Sequence, residues 1–274
     1  MTAMSNRFRK MGKRISFVPT MGFLHEGHLA LMREGRRLGD KLVLSIFVNP
    51  TQFGPGEDFK TYPRDFNRDC ALAEKAGVDI LFTPDARDLY VKGSETYLHQ
   101  EKLPGHLCGL SRQGHFNGVM TIVAKLFNIV VPHFAVFGEK DFQQLAVIRR
   151  MTKDLNFDIQ IVGHPTVREP DGLAMSSRNS KLTPAQRDAA LSLITSLRNA
   201  RRSVKNKQTD SNQLIDKATE LIQSYPETKI DYIKICDPET LDDVSNIDRP
   251  VLMALAVKVG KTRLIDNMIL TPDS

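Results

Sequence analysis

The sequence predicts an α/β protein, with a Rossmann-like parallel-sheet domain at residues 1–166 and a smaller C-terminal α+β domain at residues 167–274. Up to about residue 162, short branched apolar runs alternate with helical patterns, which is typical of βαβ units and a parallel sheet. After residue 172, two amphipathic helices are followed by three apparent strands, which is typical of an α+β domain. The stretch Pro165–Gly172 between them contains two prolines and an Asp-Gly turn, so we place the domain boundary there.

The elements of the first domain follow from apolar periodicity. Lys41–Val48 is rich in branched residues, which indicates a strand buried on both faces, and a loop rich in Pro and Gly (Asn49–Pro63) follows it. The predicted strands are Ile15–Thr20, Lys41–Val48, Val78–Thr83, Phe134–Phe137 and Asp158–Val162. The predicted helices are His28–Leu38, Asp65–Ala76, Asn117–Val130 and Phe142–Leu155.

The two ends of the chain differ in character. The first 14 residues include Arg7, Arg9, Lys10, Lys13 and Arg14 and no acidic residue, which predicts a solvated basic tail. In the second domain the predicted helices are Pro184–Ser203 and Ser211–Ser224, and the predicted strands are Lys229–Cys236, Pro250–Val259 and Thr262–Leu270.

Composition limits the possible classes of protein. With 41% hydrophobic and 26% charged residues, the chain has the mixture of a soluble globular protein. It has no apolar run of the roughly 18 residues that a membrane span needs. The three cysteines, Cys70, Cys108 and Cys236, are far apart, so a disulfide framework is not expected and a reducing cytoplasm is. The formal charge of +6 suits small anions as well as nucleic acid and does not separate the two.

The clearest chemical pattern is H-E-G-H, where His25 and His28 stand between a predicted parallel strand and the helix after it. Ligands of open α/β sheets bind at this end of the strands, and the start of a helix offers N–H groups to phosphate. Imidazoles placed there can donate hydrogen bonds to phosphate oxygens as charge develops on them. The spacing is not that of the H-E-x-x-H zinc proteases and no third ligand is near, so we reject a zinc site.

Two further segments suit phosphate. Gly138-Glu139-Lys140-Asp141 lies between another predicted strand and helix, where the lysine can meet phosphate and a carboxylate can accept ribose hydroxyls. Met175-Ser176-Ser177-Arg178-Asn179 follows the domain boundary and offers two hydroxyls and a guanidinium. Each is weak alone, since charged turns and capping loops are common. Together with the histidines they predict a nucleotide site.

Five segments resemble, in order, the motifs of the pantothenate synthetase (pantoate–β-alanine ligase) family within the HIGH-motif nucleotidyltransferase superfamily. These are VPTMGFLHEGH (Val18–His28), SIFVNPTQF (Ser45–Phe53), YPR (Tyr62–Arg64), FGEKDFQQL (Phe137–Leu145) and DGLAMSSRN (Asp171–Asn179). The resemblance extends to Thr262–Asn267, nearly the whole chain. Before Val18 the chain departs from the family, which usually has a further strand and helix there.

The resemblance implies ATP-dependent condensation of pantoate with β-alanine through a pantoyl adenylate, with release of AMP and pyrophosphate. The implied catalytic residues are His28, His25 and Lys140, and His28 is the charge-stabilising group and proton donor. The implied ATP-binding residues are Met21, Gly22, Phe23, Leu24, His25, Glu26, Gly27, His28, Gly138, Glu139, Lys140, Asp141, Val167, Met175, Ser176, Ser177 and Arg178. We also expect the C-terminal domain to act as a lid that carries Ser176–Arg178 to the nucleotide.

For pantoate and β-alanine, the resemblance implies Gln52 and Gln144, with Asn49, Tyr62, Arg112 and His115 as secondary candidates. It also implies Mg²⁺ with ATP as co-substrate, and a homodimer. The metal ligands stay open, because Asp69 is equally interpreted as a surface acid of its helix. We expect no nucleic-acid or membrane partner.

Two other functions compete with this one. Another HIGH-superfamily nucleotidyltransferase acting on a small molecule would leave the nucleotidyl group on its product instead of releasing AMP. A tRNA-binding module would fit the basic pI of about 9.2, but no separate basic domain is visible. A purely structural protein would have no use for three nucleotide-suited segments.

Overall fold

The computed structural model describes residues 1–272, which form two compact units. The first unit consists of Met1–Glu101, Arg112–Glu139 and Val147–Thr166. The second consists of Lys102–Ser111, Lys140–Ala146 and the described part of Val167–Ser274. Two short internal segments therefore group with the C-terminal part of the chain, a grouping that the sequence did not predict.

The first unit contains a sheet of five parallel strands. They are β1 (Ile15–Thr20), β2 (Lys41–Ile46), β3 (Ile80–Phe82), β4 (Phe134–Gly138) and β5 (Gln160–His164). Their order in the sheet is β3-β2-β1-β4-β5, and every neighbouring pair is parallel. Successive strands are added on one side of β1 and then on the other, so the boundary between β1 and β4 is the topological switch point, where ligands of such sheets bind.

Seven α-helices lie before residue 166; the first precedes β1 and the others lie between strands. They are α1 (Thr2–Lys10), α2 (Glu26–Leu38), α3 (Phe66–Lys75), α4 (Ala86–Leu89), α5 (Leu107–Ser111), α6 (His115–Val130) and α7 (Phe142–Asp154). Helix α5 belongs to the second unit, and α7 is divided between the units after Ala146. The remaining helices of this group belong to the first unit.

Strand β1 is paired differently on its two sides. It pairs with β2 over six residues, from Ile15 to Thr20. Its pairing with β4 covers only Ser16 and Phe17, at the start of both strands. The carboxyl halves of β1 and β4 are therefore not joined by a ladder in this sheet, and they flank the switch point, where ligands of such sheets bind.

An apolar core fixes β1 and α2 against each other. Val18 of β1 and Leu44 of β2 are fully buried and pack in one cluster with Leu31 and Met32 of α2. Burial of each such side chain contributes about 1.5–3 kcal/mol. The turn that connects β1 to α2 is consequently held at both ends by rigid elements.

The N-terminal segment is not a solvated basic tail, so that prediction is wrong. It forms α1, which contacts α6 and β1, and Ser5 on it is fully buried. Arg9 donates to the carbonyl of Val131 at 3.1 Å, at the C-terminal cap of α6. A guanidinium is favourable there because the C-terminus of a helix is the negative end of its dipole. Arg9 thus has a structural partner that the charge pattern alone did not reveal.

His133 connects the start of β4 to the start of β1. Its Nδ1 accepts the Ile15 N–H at 2.9 Å, and its backbone N–H donates to the Ile15 carbonyl at 2.8 Å. Burial lowers the pKa of His133 below its ordinary value, and the positive charge of Arg9 acts in the same direction. The folded chain therefore favours the neutral ring, which is the form that can accept this hydrogen bond.

Acidification is expected to weaken the fold through His133. A lowered folded-state pKa contributes stability that is full above the unfolded value of about 6.5 and is lost as pH falls below it. Between pH 7.5 and 5.5 we expect the free energy of unfolding to drop by up to about 1 kcal/mol from this bond. In His133→Asn, whose amide oxygen accepts without titrating, this component should vanish. Urea unfolding of both proteins at the two pH values measures it, and equal pH dependence would contradict the assignment.

The second unit contains an antiparallel three-stranded sheet covered by two helices. Its strands are β6 (Thr228–Cys236), β7 (Val251–Val259) and β8 (Thr262–Leu270), and its long helices are α8 (Pro184–Lys205) and α9 (Ser211–Gln223). Helix α8 begins with a capping box, in which Thr183 and Gln186 exchange side-chain-to-backbone hydrogen bonds. Leu193 and Leu197 of α8 lie in one buried cluster with Met253 of β7.

The predicted fold class is confirmed, while α1, α4 and α5 were not predicted and several predicted elements differ at their ends. Strand β8 has the predicted bounds, whereas β5 begins two residues later than predicted, at Gln160. Helices α2 and α6 each begin two residues earlier, because His25 and Gly114 act as N-caps and neither is among the strongest capping residues. The described cysteines are free thiols. Among residues 1–272, no helix has the length and apolarity needed to span a bilayer.

Candidate active site

The turn between β1 and α2 leads directly into the N-terminus of a helix. Helix α2 begins at Glu26 with His25 as its N-cap, so Glu26, Gly27 and His28 form its first turn. Backbone N–H groups in a first turn have no acceptor within the helix and lie at the positive end of the dipole. The predicted histidine segment therefore has the donors that a phosphate group requires.

The two imidazoles pack against each other with their planes tilted by 35°, and one has a defined tautomer. Nδ1 of His28 accepts the backbone N–H of His25 at 3.3 Å, and the ring centroids are 4.1 Å apart. Because Nδ1 is an acceptor, the proton of the neutral His28 ring is on Nε2. His28 can thus donate from Nε2 to an oxygen on which negative charge develops.

A buried carboxylate binds the backbone of this turn. Asp69 of α3 is 1% exposed, and its two oxygens accept the N–H groups of Phe23 and Leu24, both at 2.7 Å. Its interpretation as a surface acid is therefore wrong. Gly22 lies against it at φ +80°, where a Cβ would come within 2.9 Å of the Asp69 carboxylate. The side chain of Glu26, in contrast, is directed to Arg33.

The predicted pantoate residue Gln52 is buried and not on a loop surface. Its Nε2 lies 3.2 Å from the sulfur of Met21, and its Oε1 accepts from Asn49 Nδ2 at 3.1 Å. Asn49, 1% exposed, also donates to the carbonyl of Gly118 at 3.1 Å. Gly118 permits this close approach, because a Cβ there would lie 2.4 Å from the carbonyl of Thr51. These contacts fix the orientation of Gln52 and place it beside the turn between β1 and α2 (residues 21–25), here called the histidine turn.

A second polar cluster surrounds the same glutamine. His115 contacts the carbonyl of Gln52 through Nδ1 at 2.7 Å, and Arg112 Nη1 lies 2.9 Å from His115 Nε2. Since guanidinium only donates, Nε2 accepts and Nδ1–H donates to Gln52. Arg112 also binds the carboxylate of Glu57 with two hydrogen bonds of 2.7 Å. Burial raises the pKa of Glu57, but the hydrogen bonds and charge of Arg112 outweigh it and lower the pKa.

Tyr62 is the last of the predicted substrate residues that belong to the first unit. It is buried and meets Phe53 edge to face, with ring centroids 6.0 Å apart. Phe53 follows Gln52 in the chain. The described contacts thus place five predicted pantoate and β-alanine residues around one segment: Gln52, Asn49, Tyr62, Arg112 and His115.

Gly138-Glu139-Lys140-Asp141 lies at the end of β4, and the chain passes from the first unit to the second between Glu139 and Lys140. Gly138 is the last residue of β4, while Lys140 and Asp141 belong to the second unit. The Lys140 ammonium is 3.9 Å from the Asp141 carboxylate, and the Lys140 carbonyl accepts from Asn267 Nδ2 at 2.9 Å. Strand β8 therefore holds the backbone of the predicted catalytic lysine.

The two neighbouring glutamines of α7 have different environments. Gln143 is 4% exposed, accepts the Cys108 N–H at 2.9 Å and donates to the carbonyls of Leu103 and His106. It has a structural role. Gln144, the predicted pantoate residue, is half-buried.

The predicted phosphate loop after residue 166 is held by its own network. Met175 N–H donates to the Val167 carbonyl at 2.9 Å, and the Ser176 hydroxyl accepts from the Arg178 N–H at 3.3 Å. Asn179 donates to Glu169 at 2.6 Å. Ser177 is buried beside these groups in the chain. Val167 and Met175, two of the predicted ATP-binding residues, are consequently joined through the backbone.

No group of three or more His, Cys, Asp or Glu side chains within residues 1–272 could hold a metal ion. Mg²⁺ commonly binds through substrate phosphates and water with few protein ligands, so nucleotide-bound Mg²⁺ needs no such cluster. Asp69, the one candidate ligand named from the sequence, has both oxygens on backbone N–H groups.

The family model described as pantoate–β-alanine ligase matches residues 1–269. The chain belongs to the pantoate–β-alanine ligase family. A pantothenate synthetase of Desulfatibacillum aliphaticivorans is 60% identical over 99% of this chain and 97% of that protein. The crystal structure of pantothenate synthetase from Thermus thermophilus matches with a TM-score of 0.91 at 45% identity, covering 98% of each chain.

A third match is a ligase structure with bound small molecules. It is the pantoate–β-alanine ligase from Francisella tularensis complexed with β,γ ATP and β-alanine, which is 33% identical with a TM-score of 0.77 and covers 97% of this chain and 95% of that one. The family resemblance, the ligase class and the Rossmann-like fold predicted from the sequence are confirmed by these matches.

Sequence reasoning missed several supporting residues of this ligase. Asp69, Glu57, Gln143 and Asn267 were not assigned the contacts that the fold gives them. Asp69 is 46 residues from Phe23, and Asn267 is 127 residues from Lys140, so no local pattern connects them. In the sequence, only the glycine at position 22 indicated that another group could approach this turn closely.

Proposed function

We propose that this chain joins pantoate to β-alanine in two steps at the expense of ATP. In the first step a pantoate carboxylate oxygen attacks the α-phosphorus, and the bond to the β-phosphate breaks to release pyrophosphate. In the second step the β-alanine amine attacks the acyl carbon of pantoyl adenylate, loses a proton, and displaces AMP. Family membership over residues 1–269 supports the overall reaction, and the His28 geometry supports the assignment of the first step.

The histidine turn supplies charge stabilisation in the first step. In the first turn of α2 the His28 backbone N–H is directed to the His25 side chain, so the candidate donors are Nε2–H of His28 and the N–H groups of Glu26 and Gly27. They would stabilise the additional negative charge that appears on the leaving pyrophosphate. No protein nucleophile is needed, because the substrate carboxylate attacks and the enzyme contributes position and electrostatics.

The remaining predicted residues bind and orient the substrates. Lys140 and Arg178 would bind phosphates as cations, with Ser176 and Ser177 as hydroxyl donors, and Val167 and Met175 would contact adenine. Gln52, whose amide can donate and accept, would bind pantoate with Gln144. Mg²⁺, carried on the ATP phosphates, supplies further neutralisation of their charge. The lid role of residues 167–274, the homodimer and a cytoplasmic location remain predictions.

Product release tests this function directly. With Mg·ATP and pantoate alone, we expect pyrophosphate at a stoichiometry near one per enzyme and no sustained AMP release. Adding β-alanine should give continuous AMP and pantothenate. Omitting pantoate while keeping β-alanine is the control, and it should give neither pyrophosphate nor AMP.

Two outcomes would overturn the proposal. Folded protein that releases no pantoate-dependent pyrophosphate would remove the assigned reaction. Formation of a stable nucleotidyl conjugate without AMP would instead identify a nucleotidyltransferase of the HIGH superfamily that acts on a small molecule.

A further inference from the structure

Asp69 binds the backbone of the histidine turn with both carboxylate oxygens. Oδ2 accepts the Phe23 N–H and Oδ1 the Leu24 N–H, each at 2.7 Å. Hydrogen bonds to an ionised acceptor are roughly twice as strong as neutral ones. The residue is 1% exposed, so water does not compete for them. Asp69 is therefore bound more firmly to this turn than an acid on a helix usually is.

The turn requires such support because its backbone is unusual. Gly22 has φ +80° and Phe23 has φ +49°, so two consecutive residues adopt left-handed conformations. A non-glycine residue in this region carries a cost of order 1–3 kcal/mol and persists only where its surroundings enforce it. Successive N–H groups in such a turn form a concave anion site. Here that concavity holds the protein's own carboxylate, so the Phe23 and Leu24 N–H groups are occupied before any phosphate arrives.

The packing around the carboxylate transmits this constraint to the histidines. A Cβ on Gly22 would lie 2.9 Å from Asp69 Oδ2 and equally close to Ile46 at the end of β2. The fully buried Leu24 follows, and His25 is then the N-cap of α2. The exit of β1, the end of β2 and α3 thus meet at one point, just before the first histidine.

We propose that Asp69 is a positioning residue for adenylation, which fixes His25 and His28 by anchoring the backbone before them. It acts through the turn and not on the substrate, and the inference rests on the proposed function. A displacement of about 1 Å in a catalytic group can lower a rate by about 10²-fold. Asn at position 69 keeps the shape but replaces one acceptor oxygen by an N–H₂ donor facing a backbone N–H.

The test compares the two half-reactions in Asp69→Asn. We expect pantoate-dependent pyrophosphate release in a single turnover to slow by about 10²-fold. The KM for ATP should change less than kcat. Once the adenylate has formed, its reaction with β-alanine should remain within about threefold of the native rate, because the charge that His28 stabilises has already left. A loss of folding alone would lower both half-reactions together.

Asp79→Asn is the matched control. Asp79 accepts the Leu42 N–H at 2.8 Å and pairs with Arg36 and Lys41 in the same unit, and none of these is a predicted site residue. Its substitution should lower the melting temperature and leave both half-reactions within about threefold per folded molecule. If Asp69→Asn does not fold, Asp69→Ser, which keeps one acceptor oxygen, takes its place.

The outcomes separate this inference from the proposed function. Native protein without pantoate-dependent pyrophosphate would end the proposed function. An active native protein with adenylation in Asp69→Asn or Asp69→Ser within about threefold of native, or with both half-reactions lowered equally, would overturn the role of Asp69 alone.

Discussion

Replacing His28 by alanine is expected to slow pantoyl adenylate formation by about 10²- to 10³-fold, the usual cost of losing one directed donor to developing charge. The ring's Nδ1 accepts the His25 N–H, so the neutral ring carries its proton on Nε2, the atom that we assign as the donor. Because this donor matters most as pyrophosphate leaves, kcat should fall far more than the KM for ATP rises. Single-turnover pyrophosphate release measures the effect.

Two further variants test whether the loss of rate in His28→Ala comes from the missing N–H donor. His28→Gln retains an N–H donor close to the position of Nε2 and should recover part of the rate. His99→Ala removes an exposed imidazole outside the predicted site and should have native activity. A near-native adenylation rate in His28→Ala would contradict the assigned role, provided that thermal unfolding confirms the fold.

Lys140→Ala should cause a second large loss, about 10²- to 10³-fold in kcat/KM for ATP. An ammonium meets phosphate as a point charge in the ground state as well as in the transition state, so here the KM for ATP should rise together with a fall in kcat. The carbonyl of Lys140 is bound by Asn267 at 2.9 Å, which fixes the backbone from which the side chain extends. Steady-state kinetics with varied Mg·ATP measure both parameters.

The charge and the position of this lysine can be separated. Lys140→Arg keeps the charge on a broader group and should be intermediate in activity. Lys258→Ala, which removes an exposed lysine from β7, is the matched control and should be native in rate. Unchanged kcat/KM in Lys140→Ala would show that the phosphates have another cationic partner.

The order of the chemistry-bearing segments was available in the sequence. The alternation of apolar runs with helical patterns predicted the parallel sheet, because strands buried on both faces and amphipathic helices have distinct periods. H-E-G-H after the first strand predicted a helix N-terminus at the sheet edge where ligands bind. These features are local, and each needs only a few neighbouring residues to be recognised.

Local patterns failed where a partner was distant. The N-terminal basic segment was predicted to be a solvated tail, but Arg9 finds the Val131 carbonyl 122 residues away. No local sequence pattern indicated that Gln52 is buried, yet its amide contacts Asn49 and Met21. Helix α2 began two residues early because His25 served as its cap, an unusual choice that propensity does not favour.

The sequence by itself determined the fold class, the family and the segments that contain the candidate site, since these depend on periodicity and on contiguous motifs. Only the tertiary structure decided which groups hold those segments in shape. It placed the Asp69 carboxylate on the Phe23 and Leu24 N–H groups and Asn267 on Lys140. The physical reason is that hydrogen bonds between residues far apart in the chain depend on packing of complete elements, which no short stretch of sequence encodes.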